Sequence, residues 1–350
     1  MQAELIYNPY AGQVDVSHEL KDVTDFLSRC GWQITWQVTD RSNRATEIAK
    51  QAARKGARVV IAAGGDGTIN EITNGLIGSD TALGVLPIGT TNVWALQMGI
   101  PTLNPFLLSA AKSKLVTNLG QRLQGPSPYS LYRKVLLDAA AVLLEGHTMA
   151  VDVGEVSGRY FLLWTGVGMD AAIINSVTVN SKRALGSWAY VMTALDTARQ
   201  YTGTAVKMNL DGKTIELSTP LVVVTNIQLY GGKLPIGSKA CVNDSLLDVC
   251  IFKGDGFFTF VQQAIEVLSR QHLHDPKIEY HQFKELSIES TRRMPVHVDG
   301  EAITETPVMV HTIPSALRVI VPRNVPDNLF RKPEIQDLTN TTSPSAEGQM

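Results

Sequence analysis

The sequence predicts an α/β domain built on a parallel sheet, followed by a mainly antiparallel β domain. Its 350 residues give room for two domains that each bury a core. The first hundred residues alternate short apolar runs with longer amphipathic runs, and this alternation is typical of a parallel sheet covered by helices. Beyond Thr148 the pattern changes to short alternating strands joined by turn signals, which is typical of antiparallel structure.

In the first domain the predicted order of elements is β-α-β-α-β-α-β. Strands are expected at residues 3–7, 33–38, 58–63 and 82–86, and helices at 17–30, 44–55 and 69–77. Small polar or glycine-rich turns follow three of the strands, at residues 8–12, 64–68 and 87–92. Ligands of parallel sheets bind at the carboxyl ends of the strands, so we expect these three turns to converge on one crevice.

The second domain is expected to begin near residue 136. Hairpin turns are predicted at residues 156–159 and 210–213, and helices at about 182–200 and 257–270. The segment 103–133 has no clear periodicity and is interpreted as an inter-domain region. We therefore predict a first domain over 1–135, a second domain over 136–323 and a disordered tail over 324–350. In one alternative, the end of the second domain returns to the first domain.

Composition and charge limit the partners and the compartment that we expect for the protein. A formal net charge of −2 leaves no broad basic surface, so we expect that the protein does not bind nucleic acid. Three widely spaced cysteines are not typical of a disulfide framework or a zinc site, and they favour a reducing cytoplasm. No apolar stretch reaches the roughly 20 residues that span a bilayer, and the N-terminus has an acid where a secretory signal carries basic residues. We expect a cytoplasmic protein with peripheral membrane contact at most, and a homodimer is one alternative for its oligomeric state.

The segment Gly64-Gly65-Asp66-Gly67-Thr68 follows the third predicted strand and precedes a predicted helix. Its glycines allow backbone N–H groups to approach an anion, and the following helix adds the positive end of its dipole. Asp66 suits a position beside water or Mg²⁺ that neutralises phosphate charge. No lysine follows as it would in a P-loop. The pattern predicts phosphate binding, and the alternative is a strand-to-helix turn in which Asp66 or Thr68 is a cap.

Residues 64–71 resemble the nucleotide-binding signature of the diacylglycerol kinase catalytic-domain family, which includes bacterial soluble lipid kinases and is related to sphingosine and ceramide kinases. NAD kinases share the pentapeptide, and phosphofructokinases have it slightly altered. Further segments recur in the family in the same order, at 8–12, 83–92, 152–154, 166–171, 230–232, 246–248 and 298–301. An NAD kinase would lack the last four. The resemblance covers residues 3–322 and implies an NAD kinase/phosphofructokinase-like α/β domain followed by an antiparallel β-sandwich.

The resemblance implies that ATP binds to the first domain. The implied nucleotide-binding residues are Asn8, Pro9, Tyr10, Ala11, Gly12, Thr39, Gly64, Gly65, Asp66, Gly67, Thr68, Ile69, Asn70 and Thr90. Thr39 ends the second predicted strand, where its hydroxyl would face the crevice. The alternative for this residue is a helix cap together with Asp40.

Glu301 is the residue that the resemblance implies as proton acceptor for the attacking lipid hydroxyl. A carboxylate suits that role when it lies within hydrogen-bond reach of the hydroxyl. Asp299 would share the role or orient Glu301, because residues two apart on an extended strand point the same way. Gly300 favours a turn instead, so an exposed acid on a plain hairpin is the alternative. Since the glycine loop lies in the first domain, catalysis would occur between the domains.

The resemblance also implies a structural Mg²⁺ in the β domain. The side chain of Asp244 and the backbone carbonyls of Cys241 and Leu246 would hold it, since hard oxygen ligands suit Mg²⁺. Ser245 stands where the family usually has glycine. A plain Asn-Asp-Ser turn is the alternative.

A second Mg²⁺ would accompany the nucleotide. Asp66 and Asp152 would supply part of its network. Diacylglycerol kinases commonly have an Asp at the position of Val93, although sphingosine kinases also lack an acid there.

These features together predict an ATP- and Mg²⁺-dependent lipid kinase that phosphorylates a hydroxyl of diacylglycerol or a similar lipid at the membrane surface. One alternative is an NAD kinase, distinguished by NADP formation. Another is a nucleotide- or lipid-binding regulator without catalysis, motivated by Val93. The basic segment from Lys112 to Lys134 is a candidate for docking on anionic lipid at the inner membrane, with an exposed linker as the alternative.

Overall fold

Among the described residues, four strands and five helices form the first part of the fold. The computed structural model describes residues 1–12, 14–103, 128–176, 202–232, 234–254 and 257–331. The strands of this part are β1 (Gln2–Tyr7), β2 (Gln33–Val38), β3 (Val59–Gly64) and β4 (Ala82–Pro87). The helices are α1 (Ser17–Arg29), α2 (Arg44–Arg54), α3 (Asp66–Leu76), α4 (Val93–Met98) and α5 (Pro128–Glu145).

Strands β1 to β4 pair in parallel in the order β2-β1-β3-β4. Strands β3 and β4 are buried at every position, and their runs of small and branched apolar residues are typical of strands covered on both faces. Helix α1 buries Leu20, Val23 and Leu27, whose spacing places them on one helix face. Strand β1 lies between β2 and β3, so the order of the strands reverses there and the ends of β1 and β3 flank a crevice.

The second part is mainly β. Its strands are β5 (His147–Val156), β6 (Arg159–Phe161), β7 (Trp164–Gly168), β8 (Thr204–Leu210), β9 (Lys213–Thr219), β10 (Leu221–Thr225), β11 (Leu247–Phe252), β12 (Ile278–Phe283), β13 (Glu285–Ser290), β14 (Pro295–Val298), β15 (Glu301–Glu305) and β16 (Val308–Val321). Helices α6 (Met169–Ser176) and α7 (Phe257–Leu268) interrupt it, and 3-10 turns lie at His272–His274 and Asp327–Leu329.

Two-residue turns close three of its hairpins. Each turn has both residues at positive φ, as a type I′ turn requires: Ser157-Gly158, Asp211-Gly212 and Asp299-Gly300. The first two turns were predicted from their dipeptides. The third places the Asp-Gly pair of the implied catalytic segment at the tip of the β14–β15 hairpin.

Strand β16 joins the two parts of the fold. It pairs antiparallel with β5 and β13 and parallel with β4, so one sheet runs in the order β2-β1-β3-β4-β16-β13-β8-β9. A second sheet, β12-β11-β10-β7-β14-β15, is antiparallel throughout. A shared core between the sheets includes Met208 and Ile288 from the first sheet and Val224 and Val296 from the second. This is the predicted α/β domain with an antiparallel β-sandwich.

Several boundaries differ from the prediction. Helix α3 begins at Asp66, three residues early, because an acid in the first turn is favoured by the helix dipole. Helix α5 is described from Pro128 onward, so residues 128–133 of the predicted inter-domain region are helical. The predicted boundary between residues 135 and 136 falls inside α5, and Leu329, in the predicted tail, is fully buried. The domain bounds otherwise stay a prediction, and the predicted helix at 182–200 lies outside the described residues.

Membrane contact stays an expectation. In the described ranges, no helix combines the length and the apolar character needed to cross a membrane. Residues 112–127 of the basic segment lie outside those ranges. Arg133, near the end of that segment, pairs with Asp22 of helix α1 at 2.6 Å.

Candidate active site

The three turns at the carboxyl ends of β1, β3 and β4 lie in contact. The side-chain amide of Asn8 donates to the hydroxyl of Thr68 at 3.0 Å, and the N–H of Ile88 donates to the carbonyl of Gly64 at 3.1 Å. A Cβ atom on Gly89 would lie 2.5 Å from the Cα of Gly65, so the two glycine loops touch backbone to backbone. The turns therefore form one crevice, as the strand order predicted.

A cavity of about 240 Å³ opens beside these turns. Four of the predicted nucleotide-binding residues line it, together with five others: Asn8, Tyr10, Thr39 and Thr68, then Asp40, Arg41, Ser42, Ala45 and Glu71. Helix α2 has Asn43 as its N-cap, so Thr39 is not the cap of that helix. The cavity lining is thus mostly polar and is shared by the segments that follow β1 and β2 and by helices α2 and α3.

The remaining predicted nucleotide-binding residues do not line this cavity. Ile69 and Asn70 are almost fully buried in helix α3, and Asn70 accepts a hydrogen bond from Asn74. Exposed positions near the crevice are Pro9, Gly67 and Thr90. The others, Ala11, Gly12, Gly64, Gly65 and Asp66, belong to the turns or to the start of α3. Their nucleotide contacts stay a prediction.

Asp66 caps a helix other than its own. Its Oδ2 accepts the N–H of Val93 at 3.0 Å and its Oδ1 accepts the N–H of Trp94 at 3.1 Å, at the start of helix α4. Burial raises the pKa of Asp66, although these two backbone donors favour the ionised form. Each carboxylate oxygen has two lone pairs, so both oxygens can still accept from water or bind a cation.

Asp299 fixes the tip of the β14–β15 hairpin. Its Oδ2 accepts the N–H of Leu162, and its Oδ1 accepts those of Leu163 and Trp164, all within 2.9–3.2 Å. Burial raises the pKa of Asp299 to about 7 against the effect of these donors, and the negative charge of Asp66 adds to the rise. The hairpin thus brings a carboxylate of the second part into the electrostatic reach of the glycine loop.

Glu301 begins strand β15 and is half-exposed. Its Oε2 lies 2.6 Å from Nη2 of Arg159, and Nη1 of Arg159 lies 3.4 Å from Oδ1 of Asn43. Asn43 lies between Ser42 and Ala45, which both line the cavity. Glu301 is therefore connected through one guanidinium to the rim of the cavity.

Sequence reasoning missed Arg159 and a buried pair behind the hairpin. Nε2 of His297 lies 2.5 Å from Oδ2 of Asp170, while Nδ1 accepts the N–H of Gly300 at 3.3 Å. His297 is fully buried. A Val-His-Val run in a strand is an ordinary apolar pattern, and the sequence places Asp170 in a distant segment, so no local signal pointed to the pair.

Asp244 fits a cation. Its side chain is 1 % exposed, and its Oδ2 has no hydrogen-bond partner among the described residues, although Nη1 of Arg331 lies 3.5 Å away. Burial raises the pKa of Asp244. A buried carboxylate oxygen without a donor suits a hard cation, with the predicted carbonyls of Cys241 and Leu246 on the same turn. Within the described ranges no three His, Cys, Asp or Glu side chains form a metal-binding group, so such a site would depend on carbonyls and water.

Asp152 lies near Asp244, and its predicted share in the Mg²⁺ network of Asp66 stays a prediction. Its carboxylate accepts the N–H groups of Ser245 and Ser315, at 2.6 and 2.8 Å. Burial, and then the charge of Asp244, raise the pKa of Asp152. Strand β5 carries Asp152 to the Asp244 turn and to β16, whereas Asp299 is the carboxylate whose pKa responds to Asp66.

Comparisons with known proteins agree with this architecture. Residues 2–119 match the family model described as diacylglycerol kinase catalytic domain, and residues 164–321 match that of the YegS C-terminal NAD kinase beta sandwich-like domain. A diacylglycerol kinase of Bacillus subtilis strain 168 is 28% identical over 330 residues, covering 94% of this chain and 99% of the relative. A diacylglycerol kinase of Staphylococcus carnosus strain TM300 is 26% identical over 339 residues, covering 93% and 96%.

Solved structures show the same fold. The crystal structure of a diacylglycerol kinase from Bacillus anthracis strain Sterne aligns with a TM-score of 0.65 at 22% identity, covering 92% of this chain and 97% of that one. Both relatives are named diacylglycerol kinase, and this similarity supports a kinase as the class of the protein. Over both parts of its fold, the chain is similar to members of the diacylglycerol kinase catalytic-domain family.

Proposed function

We propose that the protein transfers the γ-phosphoryl group of ATP to a hydroxyl of diacylglycerol or a similar lipid, with Glu301 as proton acceptor. One observation carries this proposal. Glu301, on the β14–β15 hairpin, is joined through Arg159 to Asn43 at the rim of the cavity. A candidate base and a polar cavity beside a glycine loop thus adjoin, and phosphoryl transfer depends mainly on such positioning.

The residues of the first part would bind and orient the nucleotide. The hydroxyls of Thr39 and Thr68 and the amide of Asn8 line the cavity and supply hydrogen-bonding groups. The glycine loop precedes helix α3, whose N-terminus favours negative charge. We infer that the base and sugar of ATP occupy the cavity while its phosphates lie toward the glycine loop.

The residues of the hairpin would act on the lipid. As the lipid hydroxyl attacks the γ-phosphorus, Glu301 accepts its proton and ADP leaves. Asp299 holds the turn through its three backbone donors and so fixes where Glu301 begins. Mg²⁺, when bound near Asp66, would neutralise phosphate charge, and Asp244 would hold a second, structural ion.

A lipid panel tests the proposal. The purified protein is incubated with γ-labelled ATP, Mg²⁺ and mixed micelles of diacylglycerol, monoacylglycerol, sphingosine or ceramide, and a parallel reaction contains NAD. Transfer to at least one lipid and none to NAD is the expected result. Nucleotide binding without transfer to any lipid would favour a non-catalytic regulator, and NADP formation would favour an NAD kinase.

A further inference from the structure

Arg159 has contacts on both sides of the cleft. It is the first residue of strand β6, and its side chain is 25% exposed. Nη2 lies 2.6 Å from Glu301, Nη1 lies 3.4 Å from Asn43, and the buried Nε has no hydrogen-bond partner among the residues that the structure describes. The guanidinium of Arg159 therefore contacts both the candidate base Glu301 and Asn43 at the cavity rim. Its Nε–H remains as a further donor.

The cavity itself offers little free positive charge. Among the described residues, Arg41 is the one Lys or Arg in its lining, and Nη2 of Arg41 lies 2.8 Å from both carboxylate oxygens of Glu47. No P-loop lysine follows the glycine loop in the sequence. Charge developing on a transferred phosphoryl group needs positive partners, and an arginine is a common one. Arg159 is placed to supply that charge.

The backbone beside Arg159 is fixed to the glycine-loop helix. The side-chain amide of Asn74, in helix α3, donates to the carbonyl of Tyr160 at 2.9 Å and accepts its N–H at 3.0 Å. The next residues of the chain, 162–164, donate to Asp299. Residues 159–164 thus connect the helix that begins at the glycine loop with the hairpin that carries Glu301. The position of Arg159 is set by the same elements that would hold the two substrates.

We infer that Arg159 is a catalytic arginine of this cleft, which binds the γ-phosphoryl group of the nucleotide through the donors that Glu301 does not use. This inference rests on the proposed function. In the step, the lipid oxygen forms a bond to the γ-phosphorus, the bond from that phosphorus to the bridging oxygen breaks, ADP takes the electron pair, and Glu301 takes the hydroxyl proton. Arg159 keeps its own proton and stabilises the charge on the phosphoryl oxygens. Its contact with Glu301 keeps the base beside the same phosphorus.

Comparing triphosphate with diphosphate binding tests this role. Calorimetry measures the Kd of ADP and of a non-hydrolysable ATP analogue for the wild type, Arg159→Ala, Arg159→Lys and the control Arg133→Ala. Arg133 pairs with Asp22 at the same 2.6 Å, on helices α5 and α1. Arg159→Ala should weaken analogue binding at least about tenfold, the loss of one charge-assisted hydrogen bond, and leave ADP binding unchanged. Arg159→Lys should be intermediate, and Arg133→Ala should match the wild type.

Turnover provides a second readout. Arg159→Ala should lower kcat by about 1,000-fold, and added guanidinium ion should restore part of it. Equal weakening of ADP and analogue binding, or unchanged binding and kcat, would overturn the inference. If Arg159→Ala fails to fold, the Lys variant and Arg159→Gln carry the comparison. A wild type that binds nucleotide but phosphorylates no lipid overturns the proposed function alone, because the two Kd values still report on Arg159.

Discussion

The backbone N–H of Val93 donates a hydrogen bond to Oδ2 of Asp66 at 3.0 Å. Val93 thus supports the position of Asp66 through its main chain, which any non-proline residue could do. Its side chain is only 2% exposed and belongs to the core. Where diacylglycerol kinases commonly have a second aspartate, this chain therefore has a buried apolar side chain. The backbone N–H at this position still donates to Asp66.

Substituting Val93→Asp should destabilise the protein in EDTA. The new carboxylate would be buried beside Asp66 without a donor, at a cost of about 1–3 kcal/mol in the free energy of unfolding. Mg²⁺ should recover part of that loss by binding between the two carboxylates. Urea unfolding in EDTA and in Mg²⁺ measures both effects, with Val93→Asn as the uncharged control. Equal stability of the two variants in EDTA would rule out a cost of the second charge.

Asp299 should make stability fall as pH rises. Its pKa of about 7 in the folded protein exceeds the value of about 3.9 expected in the unfolded chain. The folded state therefore binds more protons between about pH 4 and pH 7, and the free energy of unfolding decreases through that window. Relative to Asp299→Asn, the wild type should lose at most about 1.4 kcal/mol per pH unit there and level off above about pH 7.

Urea unfolding of the wild type and Asp299→Asn in EDTA, over that pH range, measures the difference. Burial also raises the pKa of Asp248 to about 7, but Asp248 is present in both proteins and its contribution cancels. If the free energy of unfolding of the wild type, relative to Asp299→Asn, stays constant or grows with pH, the pKa of Asp299 is not raised in the folded protein.

Asp244 should couple the stability of the β domain to Mg²⁺. If the ion binds Oδ2, which accepts no hydrogen bond from the described residues, added Mg²⁺ should raise the Tm of the wild type. At a hundredfold excess of Mg²⁺ over Kd, the free energy of unfolding should rise by about 2.7 kcal/mol. Asp244→Asn should abolish that increase. Arg331→Ala removes the guanidinium that lies 3.5 Å from the same oxygen, so it should enlarge the increase. Thermal unfolding with and without Mg²⁺ checks all three, and an equal Tm increase in Asp244→Asn would contradict the site.

The ring of His297 should accept a hydrogen bond at Nδ1 and face Asp170 with Nε2. The N–H of Gly300 can only donate, so Nδ1 must accept, and the proton on Nε2 faces Asp170. Nitrogen NMR of the histidine ring checks the tautomer directly. Asp170→Asn disturbs the pair that supports the turn before Glu301, so kcat should fall by up to about 100-fold while the Kd of ATP stays near that of the wild type. A proton on Nδ1 would contradict the arrangement.

The local structure of this chain could be predicted because its signals lie within a few residues of each other. The run from Val59 to Ala63 indicates a buried strand, and the Asp211-Gly212 dipeptide indicates a type I′ turn. The meeting of the three turns followed from strand order alone. Motif residues such as Asp66 and Glu301 were found because they recur in a family.

The contacts that join the two parts could not be predicted. Arg159 and Glu301 are 142 positions apart, and no periodicity links them. The partners of Asp66 are backbone N–H groups, which carry no residue identity, and the main-chain role of Val93 is therefore invisible in the sequence. Strand β16 pairs with β4 across more than 230 positions, so the continuity of the large sheet depends on tertiary structure.

The most direct test of the cleft is the Glu301→Gln variant in the lipid kinase assay. Glutamine keeps the size of the side chain but cannot accept the hydroxyl proton as a carboxylate does, so kcat with diacylglycerol should fall at least about 100-fold. The Kd of ATP, measured by calorimetry, should stay within about twofold of the wild type, because the amide oxygen of glutamine can still accept a hydrogen bond from Arg159. A variant that transfers phosphate at the wild-type rate would contradict the assignment of Glu301 and, with it, the central claim that the hairpin and the cavity form one active site.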